Sequence, residues 1–305
     1  MCKKNIYKQF KTKVKAKLIH YLNSYATCFK SDKLYLKIRY YLMTGRRLNL
    51  NNPKGFCEKL QWLKINDRNP YYTNLVDKYL VKVEIAKIIG EEYVVKNLGV
   101  WDTVEDIDVS QLPERFVLKT THAAGASGVL ICKNKQDFDI AEAKKKLSHS
   151  LGVFSFPITR EWPYKNISPR VIAEEYLEDE TGSLRDFKVM CFNGVPKLIQ
   201  VHLGRFDGLH TQDFYDVSWN KLEGLNQDYC IVSTIKVPKP QCLDEMLRLS
   251  SKLSVNIPHV RVDWYIVKDK LYFGEMTFFD ASGYDLFIPY SKEIEIGSWI
   301  NLPTK

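Results

Sequence analysis

His259–Gly283 reads HVRVDWYIVKDKLYFGEMTFFDASG and holds two β-rich runs around a short polar break. Val260, Val262, Trp264, Tyr265, Ile266 and Val267 form the first run, and Leu271, Tyr272, Phe273 and Met276 begin the second. Lys268-Asp269-Lys270 between them is short enough for a hairpin loop. With a three-residue loop Val267 pairs with Leu271, and the same register sets Asp263 opposite Glu275 and Arg261 opposite Thr277 on one face. Like charges facing each other across a sheet repel unless a cation lies between them. A hard divalent ion such as Mg²⁺, which takes carboxylate and phosphate oxygens, meets that need. A polar hairpin face that is simply wet is the other reading.

The 305 residues suffice for two or three packed units with a sizeable core. The seven cysteines are odd in number, widely spaced and never in a C-x-x-C pair, which argues against a disulfide framework or a zinc site and fits a reducing cytoplasm. No run approaches the ~18 apolar residues of a membrane span, and the lysine-studded start leaves no apolar core for a signal peptide. A net charge of +9 points to polyanionic partners, whether nucleic acid, an anionic membrane surface or phosphorylated small molecules. Without an RNP, helix-turn-helix or zinc-finger pattern, nucleic acid is not expected among them.

Residues 3–30 combine lysines with Ile6, Phe10, Val14, Leu18, Tyr21, Leu22, Tyr25 and Phe29 at spacings of three or four, the pattern of basic amphipathic helix. Its apolar stripe either lies on an anionic leaflet or packs on its own protein. A short helix is expected over Cys57–Ile65 and a longer one from Thr73 to Ile89 carrying Lys78, with a strand over Tyr93–Leu98. Arg115–Lys119 is a strand ending in lysine, followed by the small-residue loop Thr120–Gly128 and a strand over Val129–Cys132. Such a loop lets backbone N–H groups approach phosphate oxygens, although a plain hairpin loop has the same make-up and the G-K-[ST] ending of a P-loop is missing. Arg170–Leu177, with Glu174 and Glu175, is a strand running into an acidic turn. Leu184–Phe192 and Lys197–Leu203 flank the hairpin signal Asn193-Gly194, and in the first of them Asp186 and Lys188 share a face, open either to a phosphate or to water. A strand over Phe214–Trp219, a helix over residues 241–253 and a turn-like tail over Ser291–Lys305 complete the chain.

The linear order of helix lysine, strand-end lysine with small-residue loop, paired glutamates, Lys188, R-x-D and G-E-x-T resembles that of an ATP-grasp ligase. The R-x-D strand and the strand and loop after it resemble the closing part of D-alanine–D-alanine ligases. LNLNNPKGFCEKLQWLK, NPYYTNLVDKY, REWPYKNISPRVIAEEYLED, FNGVPKLIQV and FGEMTF resemble, over about Leu48 to Ile300, the TupA-like ATP-grasp proteins of teichuronopeptide and capsular polysaccharide biosynthesis. The resemblance implies an α+β ATP-grasp fold in which two subdomains grip ATP between antiparallel sheets. A basic helical extension (1–47) would precede a body (48–305) made of a helical part (48–112), a lid (113–182) and a metal-binding subdomain (183–305).

Carried over residue by residue, Lys78 and Lys119 contact the nucleotide phosphates, and Gly125, Ser127 and Gly128 belong to the loop over them. Glu175, Tyr176 and Leu177 form the adenine hinge, with Glu178 at the ribose. Lys188 approaches the γ-phosphate, Asp263, Glu275 and Thr277 hold Mg²⁺, and Arg261 faces an acyl phosphate. Thr277 departs from the asparagine common in such ligases, and the final loop reads Asp280-Ala281-Ser282-Gly283. The implied reaction is amide formation through an acyl phosphate, joining an amino acid to a uronate or amino sugar of a surface polysaccharide. It would take place in the cytoplasm, with residues 3–30 offering contact to the inner face of the membrane. A glycosyltransferase or other sugar-modifying enzyme of the same pathway, or a non-catalytic nucleotide-binding scaffold, is the alternative. If Lys119 and Lys188 stand in an open cleft, their replacement should weaken turnover while sparing stability.

Overall fold

The structure, a computed structural model, describes residues 14–123, 128–179, 184–204, 210–227 and 230–303. Helix α1 covers residues 14–24. Helix α2 (Asp32–Thr44) starts where Ser31 Oγ accepts the Leu34 N–H and ends at left-handed Gly45. In α3 (Phe56–Asn66) the Glu58 carboxylate reaches back to the N–H groups of Lys54 and Gly55 at 2.9 and 3.2 Å.

The single helix expected over Thr73–Ile89 is two, α4 (Tyr72–Val76) and α5 (Leu80–Ile89). Asp77 makes the break, because its Oδ1 accepts from the N–H groups of Tyr79 and Leu80 at 2.8 and 3.0 Å and so caps the second helix. Lys78 therefore sits in the joint, and its N–H donates to Thr121 O at 3.0 Å.

Strands β1 (Asn97–Trp101), β2 (Phe116–Thr120), β3 (Val129–Cys132) and β4 (Val171–Glu175) form an antiparallel sheet in the order β1-β4-β2-β3. The strand expected at Tyr93–Leu98 starts four residues later, because Glu91–Tyr93 turns as a 3₁₀ helix after Gly90 at φ 116°. Helix α6 (Ile140–Leu151) packs on this sheet through Leu147, which shares a small core with Phe116, Leu118 and Val171.

The short helix α7 (Phe156–Thr159) precedes a second antiparallel sheet. It comprises β5 (Asp186–Phe192), β6 (Val195–Leu203), β7 (Thr211–Tyr215), β9 (His259–Val267) and β10 (Lys270–Thr277), in the order β10-β9-β5-β6-β7. A separate pair joins β8 (Asn226–Gln227) to β11 (Phe287–Ile288). Helix α8 (Leu243–Leu253) lies against the large sheet with Leu243, Met246, Leu249 and Leu253 buried. The main core under this sheet also takes in Leu22 of α1, Ala26 of the turn after it, and Tyr35, Leu36 and Tyr40 of α2.

The tail expected to be turn-like instead forms helix α9 (Tyr290–Ser298). Its buried Glu293 accepts from the N–H groups of Cys57 at 2.7 Å and Phe287 at 3.1 Å, so a side chain from α9 supplies the missing partner at the start of α3.

The β9–β10 hairpin has the expected register where it matters, by way of two departures that cancel. Its turn holds two residues, Lys268 and Asp269, both left-handed, so Val267 pairs with Lys270. A bulge at Gly274 then inserts one residue, and Asp263 faces Glu275 and Arg261 faces Thr277. The neighbouring hairpin turns at Asn193 (φ 51°) and Gly194 (φ 83°), pairing Phe192 with Val195. Every residue of β5 is buried, so both of its faces are covered, which removes the solvated reading of Asp186 and Lys188. Among the described residues no helix is long and apolar enough to cross a membrane.

Candidate active site

On the smaller sheet, Glu174 is the inward partner of two lysines. Lys119 of β2 and Lys82 of α5 both pair with its carboxylate, Lys82 at 2.8 Å. Lys82 also donates to Val95 O at 2.8 Å and Asn97 Oδ1 at 2.6 Å. Burial alone would raise the Glu174 carboxyl, but Lys119 and Lys82 outweigh it and hold it at about 2. A carboxyl whose pKa is lower folded than unfolded stabilises the fold above the unfolded value and loses that contribution as pH falls through the folded one. Between about pH 4.5 and 2 this is worth roughly 3 kcal/mol. Glu174→Gln should therefore melt earlier at pH 7 than the parent, with the gap closing towards pH 2. Parallel melting curves across this range would refute the pairing.

Beside these charges is a cavity of about 130 Å³ lined by Val95, Val117, Val129, Ile131, Glu175, Tyr176, Leu177, Leu184 and Tyr265, with Lys119, Glu174 and Asp186 also on its wall. Apolar walls with a few convergent charges are what a flat heteroaromatic ring carrying a phosphate tail requires. Gly128 stands directly before β3. It has φ +72°, and a Cβ there would meet Ser150 Oγ and Thr120 Oγ1 at 2.3 and 2.4 Å. Gly125 and Ser127 lie outside the described residues.

On the larger sheet, Arg261 is the hub of the second cluster. Its Nε and Nη2 hold the two Asp263 oxygens at 2.7 and 2.8 Å, Nη1 pairs with Asp280, and Nη2 lies 3.2 Å from Thr277 Oγ1 and 3.5 Å from Glu275 Oε1. Lys188 pairs with Asp263 from the other side and lies 3.3 Å from Asp186. Burial would raise the Asp263 carboxyl, yet Arg261 and Lys188 drive it well below the carboxylate range. The cation between the facing carboxylates Asp263 and Glu275 is thus the arginine of the neighbouring position. Glu275 is the more accessible of the two, with its side chain 40% exposed.

Three side chains join the clusters. The Lys78 ammonium donates to Ala123 O. Burial lowers its pKa, opposed first by the charge of Glu275 on the larger sheet and, less, by that of Glu174 on the smaller one. The hydroxyls of Tyr265 and Tyr164 are raised by burial and then by nearby carboxylates, Glu275 and Asp263 among them in both cases. Ala281, Ser282 and Gly283 run left-handed past the site. They are held from α3 by Lys64 Nζ on Ser282 O at 2.8 Å and by Gln61 Nε2 on Gly283 O at 2.7 Å.

The structure thus sets Lys119, Glu175, Tyr176 and Leu177 on the wall of one cavity and gathers Lys188, Arg261, Asp263, Glu275 and Thr277 in one cluster on the larger sheet, with Asp186 belonging to both. Glu178 stands apart on the exposed rim, paired with Arg115, whose guanidinium lies 4.2 Å from the Tyr176 ring. Sequence reading missed Glu174, Lys82, Asp186, Asp280, Tyr164 and Tyr265. For Glu174 the two-residue period of the strand was a usable signal, since it puts Glu174 and Glu175 on opposite faces and only one of them can point inward.

The sequence model of the TupA-like ATP-grasp family matches residues 58–301. Comparison with curated proteins finds no match. Among solved structures, D-alanine–D-alanine ligase from Bacillus anthracis aligns at 18% identity and TM-score 0.40, covering 73% of this chain and 66% of that one. D-alanyl-alanine synthetase A from Vibrio cholerae aligns at 10% and 0.41, covering 68% and 56%. The ATP-grasp ligase PsnB, complexed with minimal precursor, Mg and ADP, aligns at 10% and 0.39, covering 73% and 57%. This chain thus spans less than two thirds of the length of each. The family match takes in most of α3, both sheets and α9, and with them both charged clusters of the cleft: the chain belongs to the TupA-like ATP-grasp family and has the ATP-grasp fold.

Proposed function

We propose that this chain is an ATP- and Mg²⁺-dependent ligase that joins an amino acid to a uronate or amino-sugar unit of a surface polysaccharide of the capsular or teichuronic type. The observation that carries the reading is the run of cations along one cleft, from Lys119 beside the apolar cavity, through Lys78, to Lys188 and Arg261. Adenine would occupy the cavity against Tyr176 and Leu177, and Lys119 and Lys78 would take the phosphates.

Among the described residues no three His, Cys, Asp or Glu side chains are gathered as a metal site, so a hard cation at the far end would take two carboxylates and complete its shell with phosphate oxygens. Asp186, Asp263, Glu275 and Asp280 outnumber Lys188 and Arg261 by two charges, which is the charge of one Mg²⁺. Glu275 and Asp263 would hold it, and when bound it would neutralise charge on the transferring phosphoryl group. Thr277 already accepts from Arg261 and lies 3.4 Å from Glu275 Oε1, so its role in this reading is to orient those two groups.

In the first step a substrate carboxylate oxygen attacks the γ-phosphorus, ADP leaves and an acyl phosphate forms. In the second an amine attacks the acyl carbon, phosphate leaves and the amine loses a proton. No covalent bond to the protein is needed, so catalysis is positioning and charge stabilisation by Lys188 and Arg261. The test is ADP release with a panel of amino acids and uronic acids, read together with amide formation. ADP that appears only when both substrates are present supports the reading. Turnover of a nucleotide sugar without ATP would replace it by glycosyl transfer, and ATP binding without turnover would replace it by a scaffold role.

A further inference from the structure

The net positive charge of the protein comes from one end. Residues 1–47 hold thirteen of the 45 lysines and arginines but only one of the 36 acidic residues, so the other 258 residues are net negative. In the described part of this segment, α1 packs through Leu22 and, just beyond its end, Ala26 is buried as well. It is tied to α2 by Arg39 on Asn23 and by Lys15 Nζ on Met43 O at 2.9 Å. Beside this contact, one flank of α1 is left uncovered by the described residues. Val14, Leu18, Tyr21 and Tyr25, spaced by four, three and four, form one exposed stripe, and Leu34, Ile38 and Tyr41 form another on α2, all of them 36 to 64% exposed. Lys15, Lys17, Lys33 and Lys37 alternate with these residues and are exposed themselves.

We propose that these two stripes are a docking surface for an anionic lipid bilayer, lying in the headgroup layer without crossing it. Apolar and tyrosine side chains would enter the acyl boundary while the lysine ammonium groups remain at the phosphates. Alternating lysine disfavours a protein partner, because lysine is depleted in protein interfaces. Nucleic acid would satisfy the charge but leave seven apolar and tyrosine side chains in water. Among the described residues no helix is long and apolar enough to cross a membrane, and the contact proposed is with its surface.

The test is co-sedimentation of the full chain with vesicles of phosphatidylcholine alone or with one third phosphatidylglycerol, at low and high salt. Binding is expected only with phosphatidylglycerol and should fall steeply with salt. Lys17→Gln, Lys33→Gln and Lys37→Gln together should lower partitioning on the order of 100-fold, about five-fold per lysine. Leu18→Ser with Leu34→Ser should remove the residual high-salt binding while the circular dichroism of the protein stays the same. Equal binding to both lipids, or binding that neither set of variants alters, overturns the proposal. So does a dimer in solution that Leu18→Ser with Leu34→Ser dissociates, when no vesicles are bound. ADP release with soluble substrates does not depend on this surface, so failure here leaves the catalytic reading standing.

Discussion

Arg261→Met should unfold on the order of 10 °C earlier than the parent and release ADP at least 100-fold more slowly. The guanidinium is the shared counter-ion of Asp263 and Asp280, both nearly inaccessible, and it also approaches Glu275. Removing one partner of a buried ionic cluster leaves the other charges desolvated and under-neutralised, at a cost of about 3–5 kcal/mol. For a chain of this size each kcal/mol lowers the melting temperature by roughly 2–4 °C. The kinetic loss follows from removing a fixed cation where charge develops on the transferring group, an effect of about 10²–10³-fold. Arg261→Lys should recover little of either, because one ammonium cannot hold both Asp263 oxygens and reach Asp280 as well. Thermal melting and ADP release on the purified variants decide this. A variant that melts with the parent would show that the cluster contributes nothing to the fold.

Lys188→Met and Lys119→Met should share a loss of turnover of about 10²–10³-fold yet part company in stability. The open-cleft expectation for these two lysines fails for Lys188, which is 3% exposed and pairs with two carboxylates, Asp263 and Asp186. Its methionine variant should lose on the order of 3 kcal/mol, since Asp263 then relies on Arg261 alone. Lys119 is one of two lysines on Glu174, and Lys82 remains when it is replaced. Its variant should lose about 1.5 kcal/mol, the lower end for a hydrogen bond to a charged group, because Glu174 keeps another partner. Urea unfolding separates the two. Equal midpoints for both variants would mean that the burial of Lys188 brings no electrostatic dependence, and full turnover in both would place the phosphates elsewhere.

Elements with local signals were legible in the residues alone. Asn193-Gly194 set a two-residue turn because both positions tolerate a left-handed backbone. Alternation along His259–Val267 put Arg261 and Asp263 on one face, and the long matching segments identified the family. The register that sets Asp263 opposite Glu275 was also legible, although the turn is one residue shorter than expected and the Gly274 bulge makes up the difference. Boundaries failed where a side chain intervened, as with Asp77 splitting one helix into two and Glu293 ordering a tail that reads as turns.

Which charges meet depends on the folded arrangement of the two sheets. Glu174 and Glu175 are adjacent and alike in sequence. The pairing of β4 between β1 and β2 points the first at Lys82 and Lys119 and leaves the second exposed. The same holds for the counter-ion between Asp263 and Glu275: its need was evident from like charges in register, but its identity as Arg261, held also by Asp280 from the following loop, was not. Local pattern sets which face a residue occupies. The partner it finds there depends on strand pairing and on loops distant in sequence, and in a desolvated cleft that partner fixes the charge state on which the chemistry depends.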